Sequence, residues 1–198
     1  MKTISLIIFF VLSGLMLQAQ ENAADNSVAQ DITNRFKAVE TLQSDFVQEK
    51  HMTLLSEPVI SKGYLAFSKN PAQIRWEYTE PFHNGFLLTG AKTFRLEKGT
   101  KTPVKNSMAR NLATQMMTWL TFDLTELAKT YEVDFFDGGV TLTPKTPNAA
   151  LEKITAWFSS KNPQVLEKIR LDEFGGDYTL LLFQNPQINT SLAKELFQ

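Results

Sequence analysis

The sequence predicts an α+β fold that is mainly β, built on one large, curved antiparallel sheet of about ten strands with two or three helices. Three observations predict it. Residues 73–81 read Gln-Ile-Arg-Trp-Glu-Tyr-Thr-Glu-Pro, so Ile74, Trp76 and Tyr78 share one face of an extended segment and Gln73, Arg75, Glu77 and Thr79 share the other. Similar alternating runs recur along the chain, separated by short Gly, Pro and Asn turns, and such turns imply antiparallel pairing. Between these runs the pattern changes once, at Met108–Leu120, a stretch without Gly or Pro whose Met108, Leu112, Met116, Trp119 and Leu120 fall on one helical face.

The elements follow in order. Val28, Ile32, Phe36 and Val39 lie at helical spacing among polar residues and predict an amphipathic helix of about 12 residues. Leu42–Lys50 and Val59–Phe67 read as strands, and Gly63 inside the second marks a bulge or sharp bend. Lys69-Asn70-Pro71 is turn chemistry leading to the strand at Gln73, which Pro81 ends. Gly85–Leu88 and Thr93–Leu96 form a hairpin across Thr89-Gly90-Ala91, and another hairpin turn sits at Lys98-Gly99. After the helical stretch, Asp123 caps a short helix over Leu124–Lys129, with Glu126 in the capping-box position. Tyr131–Phe136 and Val140–Thr143 pair across Asp137-Gly138-Gly139, Lys153–Ser159 and Val165–Phe174 pair across Lys161-Asn162-Pro163, and Gly175-Gly176-Asp177 turns into Tyr178–Phe183. So many twisted strands do not stay flat, and the sheet is expected to curl toward a barrel.

The N-terminus sets the compartment. Lys2 precedes an apolar stretch, Ile4–Leu17, which is too short for a transmembrane span, and Leu17-Gln18-Ala19 is a usable cleavage site. Residues 1–19 therefore read as an export signal and the mature chain as exported, beginning at about Gln20. Residues 20–27 are small and polar, as a mobile lead-in would be, and residues 28–198 remain as a single domain. Removing Lys2 leaves 19 basic against 21 acidic residues, which gives no electrostatic footprint for nucleic acid. With no cysteine, disulfides, thiolate metal sites and thiol catalysis are excluded.

Catalytic signatures are missing from the sequence. There is no G-x-S-x-G elbow, no H-x-x-x-H helix, no phosphate-cradling loop and no dinucleotide fingerprint, and nothing calls for a cofactor or metal. His51 and His83 are the only imidazoles, each near a strand end. Carboxylate pairs such as Glu77/Glu80 and Asp172/Glu173 read as solvated strand faces without a basic or nucleophilic partner. An enzyme is disfavoured, although two carboxylates brought together from separate strands, as in a glycosidase, are compatible with the sequence.

Two segments carry the functional reading. The first is an apolar strand face: Phe46, Leu65, Phe67, Ile74, Trp76, Tyr78, Phe86, Leu88, Phe94 and Leu96. The second is the Met-rich helix, with Met108, Leu112, Met116, Met117, Trp119 and Leu120, whose adaptable side chains suit a lid over acyl chains. The same residues also satisfy a plain reading, in which they pack on one another as a core.

At these positions the chain resembles a known family. Leu42-x-Ser44-x-Phe46-x-Gln48 after the first helix, then Pro71-x-x-Ile74-x-Trp76-x-Tyr78-x-x-Pro81, Leu87-Leu88-Thr89-Gly90 and Leu142-Thr143-Pro144-Lys145, is similar to the periplasmic outer-membrane lipoprotein carrier family, LolA, over about residues 28–185. The resemblance implies a half-open barrel closed by helices over an apolar cavity, with Ile74 and Trp76 on its inner face and Met108–Leu120 as its lid. It implies a monomeric carrier without chemistry of its own, which takes acylated lipoproteins from an inner-membrane ABC transporter complex and delivers them to an outer-membrane acceptor. A carrier for another envelope lipid, such as a glycolipid or acylated pigment, and a lipid-sensing regulatory module are close alternatives; an envelope hydrolase is a more distant one. The chain departs from the family pattern at Asn70, where an Arg that latches the lid is common, and at Leu192–Gln198, where members usually continue into a Phe-rich Pro-Gly segment.

Overall fold

The computed structural model describes residues 28–90, 92–104, 118–147 and 151–198. They form one antiparallel sheet of 11 strands that does not close, flanked by short helices. Helix α1 covers 28–37. The strands are β1 (Thr41–His51), β2 (Val59–Ser68), β3 (Gln73–Glu80), β4 (Asn84–Thr89), β5 (Lys92–Glu97) and β6 (Thr100–Pro103), followed after α2 (118–121) and α3 (Leu124–Thr130) by β7 (Tyr131–Phe136), β8 (Gly139–Pro144), β9 (Lys153–Phe158), β10 (Leu166–Asp172) and β11 (Tyr178–Ile188). A 3₁₀ turn, Lys194–Phe197, follows β11. Strand order is β6-β5-β4-β3-β2-β1-β11-β10-β9-β8-β7, so two meanders meet where β1 pairs with β11.

Most expected elements are present, and the differences have local causes. The expected strand Tyr178–Phe183 runs on to Ile188 through Pro186, which has no N–H to donate. Pairing with β1 survives because the register shifts between Gln43 and Asp45, and the Ser44 hydroxyl donates to Gln184 O at 2.8 Å beside the irregularity. Gly63 sits at a second register shift, between β2 and β3. The Phe46 ring takes the place of its side chain: a Cβ on Gly63 would lie 2.2 Å from Glu77 O and 2.5 Å from Phe46 Cζ. Asp123 caps α3 by accepting from the Thr125 and Glu126 amides, both at 3.1 Å, whereas the Glu126 carboxylate binds Lys129 instead of closing the capping box. The expected helix at Met108–Leu120 lies outside the described residues except for 118–120, which are helical.

The concave face carries the main core. Ile32 and Phe36 of α1 pack into it, and the Phe36, Phe122 and Phe158 rings form a cluster with centroid distances of 4.7, 5.2 and 5.1 Å. This cluster joins α1, the α2–α3 junction and β9. Phe46, Leu65, Phe67, Ile74 and Leu88 fill the adjoining part of the same face.

A smaller cluster lies on the convex face, where Ala66, Leu87 and Leu96 are covered by Leu192, Leu196 and Phe197 of the C-terminal segment. Phe94 belongs here, which corrects its expected place on the cavity face, and Leu96 is corrected with it. The β4–β5 turn pairs Thr89 with Lys92, so Phe86 lies opposite Arg95 and Phe94 lies opposite Leu87. An odd-for-even pairing of this kind puts Phe94 on the face away from Phe86. Beside this cluster, Arg75 donates to Glu77 Oε2 at 2.8 Å and to Leu196 O at 3.0 Å, while the Tyr64 hydroxyl donates to Glu77 Oε2 at 2.9 Å. Partial burial, the hydrogen bond to Glu77 and its negative charge push the Tyr64 phenol up to about 12, against the pull of the Arg75 guanidinium.

Two outcomes are expected. Gly63→Ala drives a methyl group into backbone and the Phe46 ring, and the urea midpoint falls by the equivalent of about 1–3 kcal/mol or the chain fails to fold. The raised Tyr64 pKa contributes stability that is complete below pH 10 and is lost as pH rises to about 12, because the unfolded chain ionises first. Tyr64→Phe therefore flattens the loss of stability across that window in pH-dependent urea unfolding. An equal slope in both proteins excludes this role for Tyr64.

Candidate functional site

The described side chains fill only part of the concave face. Where the Phe36 cluster and its neighbours stop, a cavity of about 370 Å³ remains between the two wings of the sheet. Trp76 and Tyr78 of β3 and Gly85 and Phe86 of β4 wall one side. Ile169 and Leu171 of β10 and Leu181 and Phe183 of β11 wall the other. Trp119 and Leu120 of α2 contribute from above the sheet, and Gln48 of β1 lies between the wings.

Period-two geometry explains the lining. Trp76 pairs with Phe86, Ile169 with Leu181, and Phe46 with Phe183, so these residues share their faces with apolar partners on the next strand. Trp76 is held from behind by Phe46, whose ring stacks on it at 4.3 Å, and Tyr78 meets Phe46 edge-on at 5.3 Å. Gln48, Tyr78, Asn84 and Leu171 lie near the strand ends at His51, Glu80, Asn84 and Asp172, and Trp76, Ile169 and Phe183 lie at mid-strand. The opening therefore faces the loops at that end of the sheet, opposite the end filled by α1.

Among the described residues, the polar groups at the cavity are neutral. The Tyr78 hydroxyl donates to Gln48 Oε1 at 2.7 Å, and burial raises its pKa above the ordinary phenol value. Asn84 adds a second amide near the opening. The Trp119 indole Nε1 is buried and has no hydrogen-bond partner among the described residues. No carboxylate, lysine or histidine lines the cavity among the described residues, so it holds no acid–base pair.

The carboxylates read from the sequence as lacking basic partners do have them. Glu77 pairs with Arg75, Glu80 with Lys62, Glu173 with Lys50, and Asp172 with Arg170 and Lys153. His51 stacks on Tyr178 at 4.2 Å and lies 3.1 Å from Glu49, and no group of acidic, His or Cys side chains among the described residues is placed to hold a metal.

Of the residues selected from sequence, Trp76, Tyr78, Phe86, Trp119 and Leu120 come together around the cavity. Phe46, Leu65, Phe67, Ile74 and Leu88 are buried beside it in the core, and Phe94 is on the other face. Met108, Leu112, Met116 and Met117 lie outside the described residues. The far wall of Ile169, Leu171, Leu181 and Phe183 was missed. Its signal was present, since all four alternate within strands that the sequence predicts, but nothing in a single sequence says that β10 and β11 curl round to face β3 and β4.

Comparison with known proteins agrees with this geometry. An outer-membrane lipoprotein carrier protein from Pseudoalteromonas translucida is 23% identical over 187 residues, covering 93% of this chain and 87% of the relative. The fold is shared with MucB in the Pseudomonas aeruginosa MucA/MucB complex, at a TM-score of 0.53 and 14% identity over 86% of this chain, which spans 60% of that chain's length. It is also shared with an uncharacterized conserved protein from Thermus thermophilus, at a TM-score of 0.52 and 11% identity over 86% of this chain and 92% of that one. Residues 37–198 match the family described as outer membrane lipoprotein carrier protein LolA, and the chain belongs to that family.

Proposed function

We propose that this protein is a periplasmic carrier that holds the acyl chains of lipoproteins in the concave cavity and moves them from the inner to the outer membrane. The observation that carries this reading is the cavity itself: about 370 Å³, apolar on both walls, and open at one end. That volume falls in the range of roughly 300–1,000 Å³ typical of small-molecule sites. Each methylene it takes from water contributes about 0.8 kcal/mol, so even one acyl chain is held firmly. The unpartnered Trp119 N–H suits the carbonyl of an acyl ester or amide, which would satisfy a donor that is costly to leave unpaired. Release follows from a shift toward an open state that the receiving partner favours.

In this reading residues 1–19 direct export and are removed, and residues 28–198 act as one monomeric carrier unit. An inner-membrane ABC transporter complex supplies the cargo, an outer-membrane acceptor receives it, and the protein catalyses no reaction. Membership of the LolA family over residues 37–198 supports the carrier role. A second reading, a lipid-sensing module that a protein partner interrogates, draws on the fold shared with MucB, which forms a complex with MucA.

Mass spectrometry of lipids extracted from the purified mature protein tests the carrier reading. An acylated lipoprotein fragment at near-stoichiometric level is expected, a glycolipid or pigment points to the alternative cargo, and an empty protein that binds no fatty acid refutes both. Leu171→Glu puts a carboxylate into the far wall and is expected to weaken binding of a fluorescent fatty acid by about tenfold or more, with a smaller effect on the urea midpoint. Trp119→Phe keeps the ring and removes the donor. It is expected to weaken binding of a fatty-acid ester several-fold while leaving a plain hydrocarbon probe unaffected.

A further inference from the structure

The loops at the open end of the cavity carry an unusual set of side chains. Leu54 and Leu55 lie in the β1–β2 loop, Phe82 in the β3–β4 loop and Phe174 in the β10–β11 loop, with Leu54 94%, Phe82 73% and Phe174 55% exposed. Val59 and Ile60, where β2 leaves the first of these loops, are exposed as well. Strand register places all three loops at one end of the sheet: β1 meets β11 there through His51 and Tyr178, and β2 meets β3 through Lys62 and Glu80. This is also the end at which Gln48, Tyr78, Asn84 and Leu171 line the cavity.

We infer that this rim docks on a lipid bilayer, with the apolar tips entering the interface and the cavity opening against the membrane. Three features favour a lipid surface over a protein groove. The apolar groups sit on separate loop tips from three parts of the chain, an arrangement suited to a soft, flat surface. They lie at the same end of the sheet as the opening of an apolar-walled cavity, so the medium they would enter is one that supplies acyl chains. The basic groups between them are taken up internally: Lys50 binds Glu173 and Lys62 binds Glu80 at 2.9 Å, while the Asp177 carboxylate accepts from the Thr53 amide at 2.8 Å and its hydroxyl at 3.0 Å and keeps its charge. With Lys50 and Lys62 so paired, the rim draws little on attraction to anionic lipid, and docking depends on apolar insertion into a zwitterionic surface.

The inference rests on the carrier reading for its purpose but not for its test. The mature protein is mixed with phosphatidylcholine vesicles and floated through a density gradient, alongside a Leu54→Glu/Leu55→Glu variant and a Phe82→Glu variant. All three are assayed separately for fluorescent fatty-acid binding without vesicles. The wild type is expected to float with the vesicles at high salt as at low salt. The variants are expected to partition roughly tenfold or more weakly, as loss of large apolar side chains from a membrane interface requires, with fatty-acid binding unchanged. Failure of the wild type to float, or flotation of the variants like the wild type, overturns the inference and assigns the tips to a protein partner. A wild type that floats but binds no fatty acid upholds the rim and overturns the carrier reading.

Discussion

The packing of Phe36 against Phe122 and Phe158 is the contact on which the rest of the architecture turns. A sheet that curls without closing leaves a long apolar trough, and something has to cover it. The three rings bring α1, the α2–α3 junction and β9 together at one end, where their side chains interlock. Among the described residues, α1 thereby covers that end of the trough. The other end keeps apolar walls with no described side chain to fill them, and a cavity results. Core and cavity are thus two fates of the same strand face, and the short helices decide where one gives way to the other.

The two faces of the sheet divide the chemistry as well. On the concave side, the polar groups that the described residues bring to the cavity are amides, a phenol and an indole, with no carboxylate, lysine or histidine among them. On the convex side, Arg75, Glu77 and Tyr64 form a half-buried network that also grips the backbone at Leu196. Arg75 and Trp76 are neighbours in sequence, yet one fastens the C-terminal segment to the outside and the other walls the cavity. Alternation along a single strand is enough to keep a charge network and an apolar wall a few ångströms apart without mixing them.

Much of this was legible in the sequence. Alternation located the strands from β1 to β5 and from β7 to β11, and Asp123 announced the cap of α3. What alternation could not give was phase across a turn. Phe86 and Phe94 each sit in a clean apolar pattern, but whether they share a face depends on pairing Thr89 with Lys92, which the sequence leaves open. Nor did local pattern extend β11 past Pro186, because pairing with a bulged β1 is a tertiary effect. The far wall of the cavity was invisible for the same reason: curvature belongs to the whole sheet, and no residue in β10 or β11 records it.

The edges of the sheet have a consequence of their own. β6 and β7 are the outermost strands of the order, and neither pairs with the other. A closed barrel has a circumference fixed by its hydrogen bonds, and its interior can grow only by tearing a ladder. Here β3 and β10 stand on opposite sides of the central β1–β11 pair, so a change in curvature would alter the distance between Trp76 and Leu171 while every strand kept its neighbours, and the room between the wings is not fixed by the hydrogen-bond ladders.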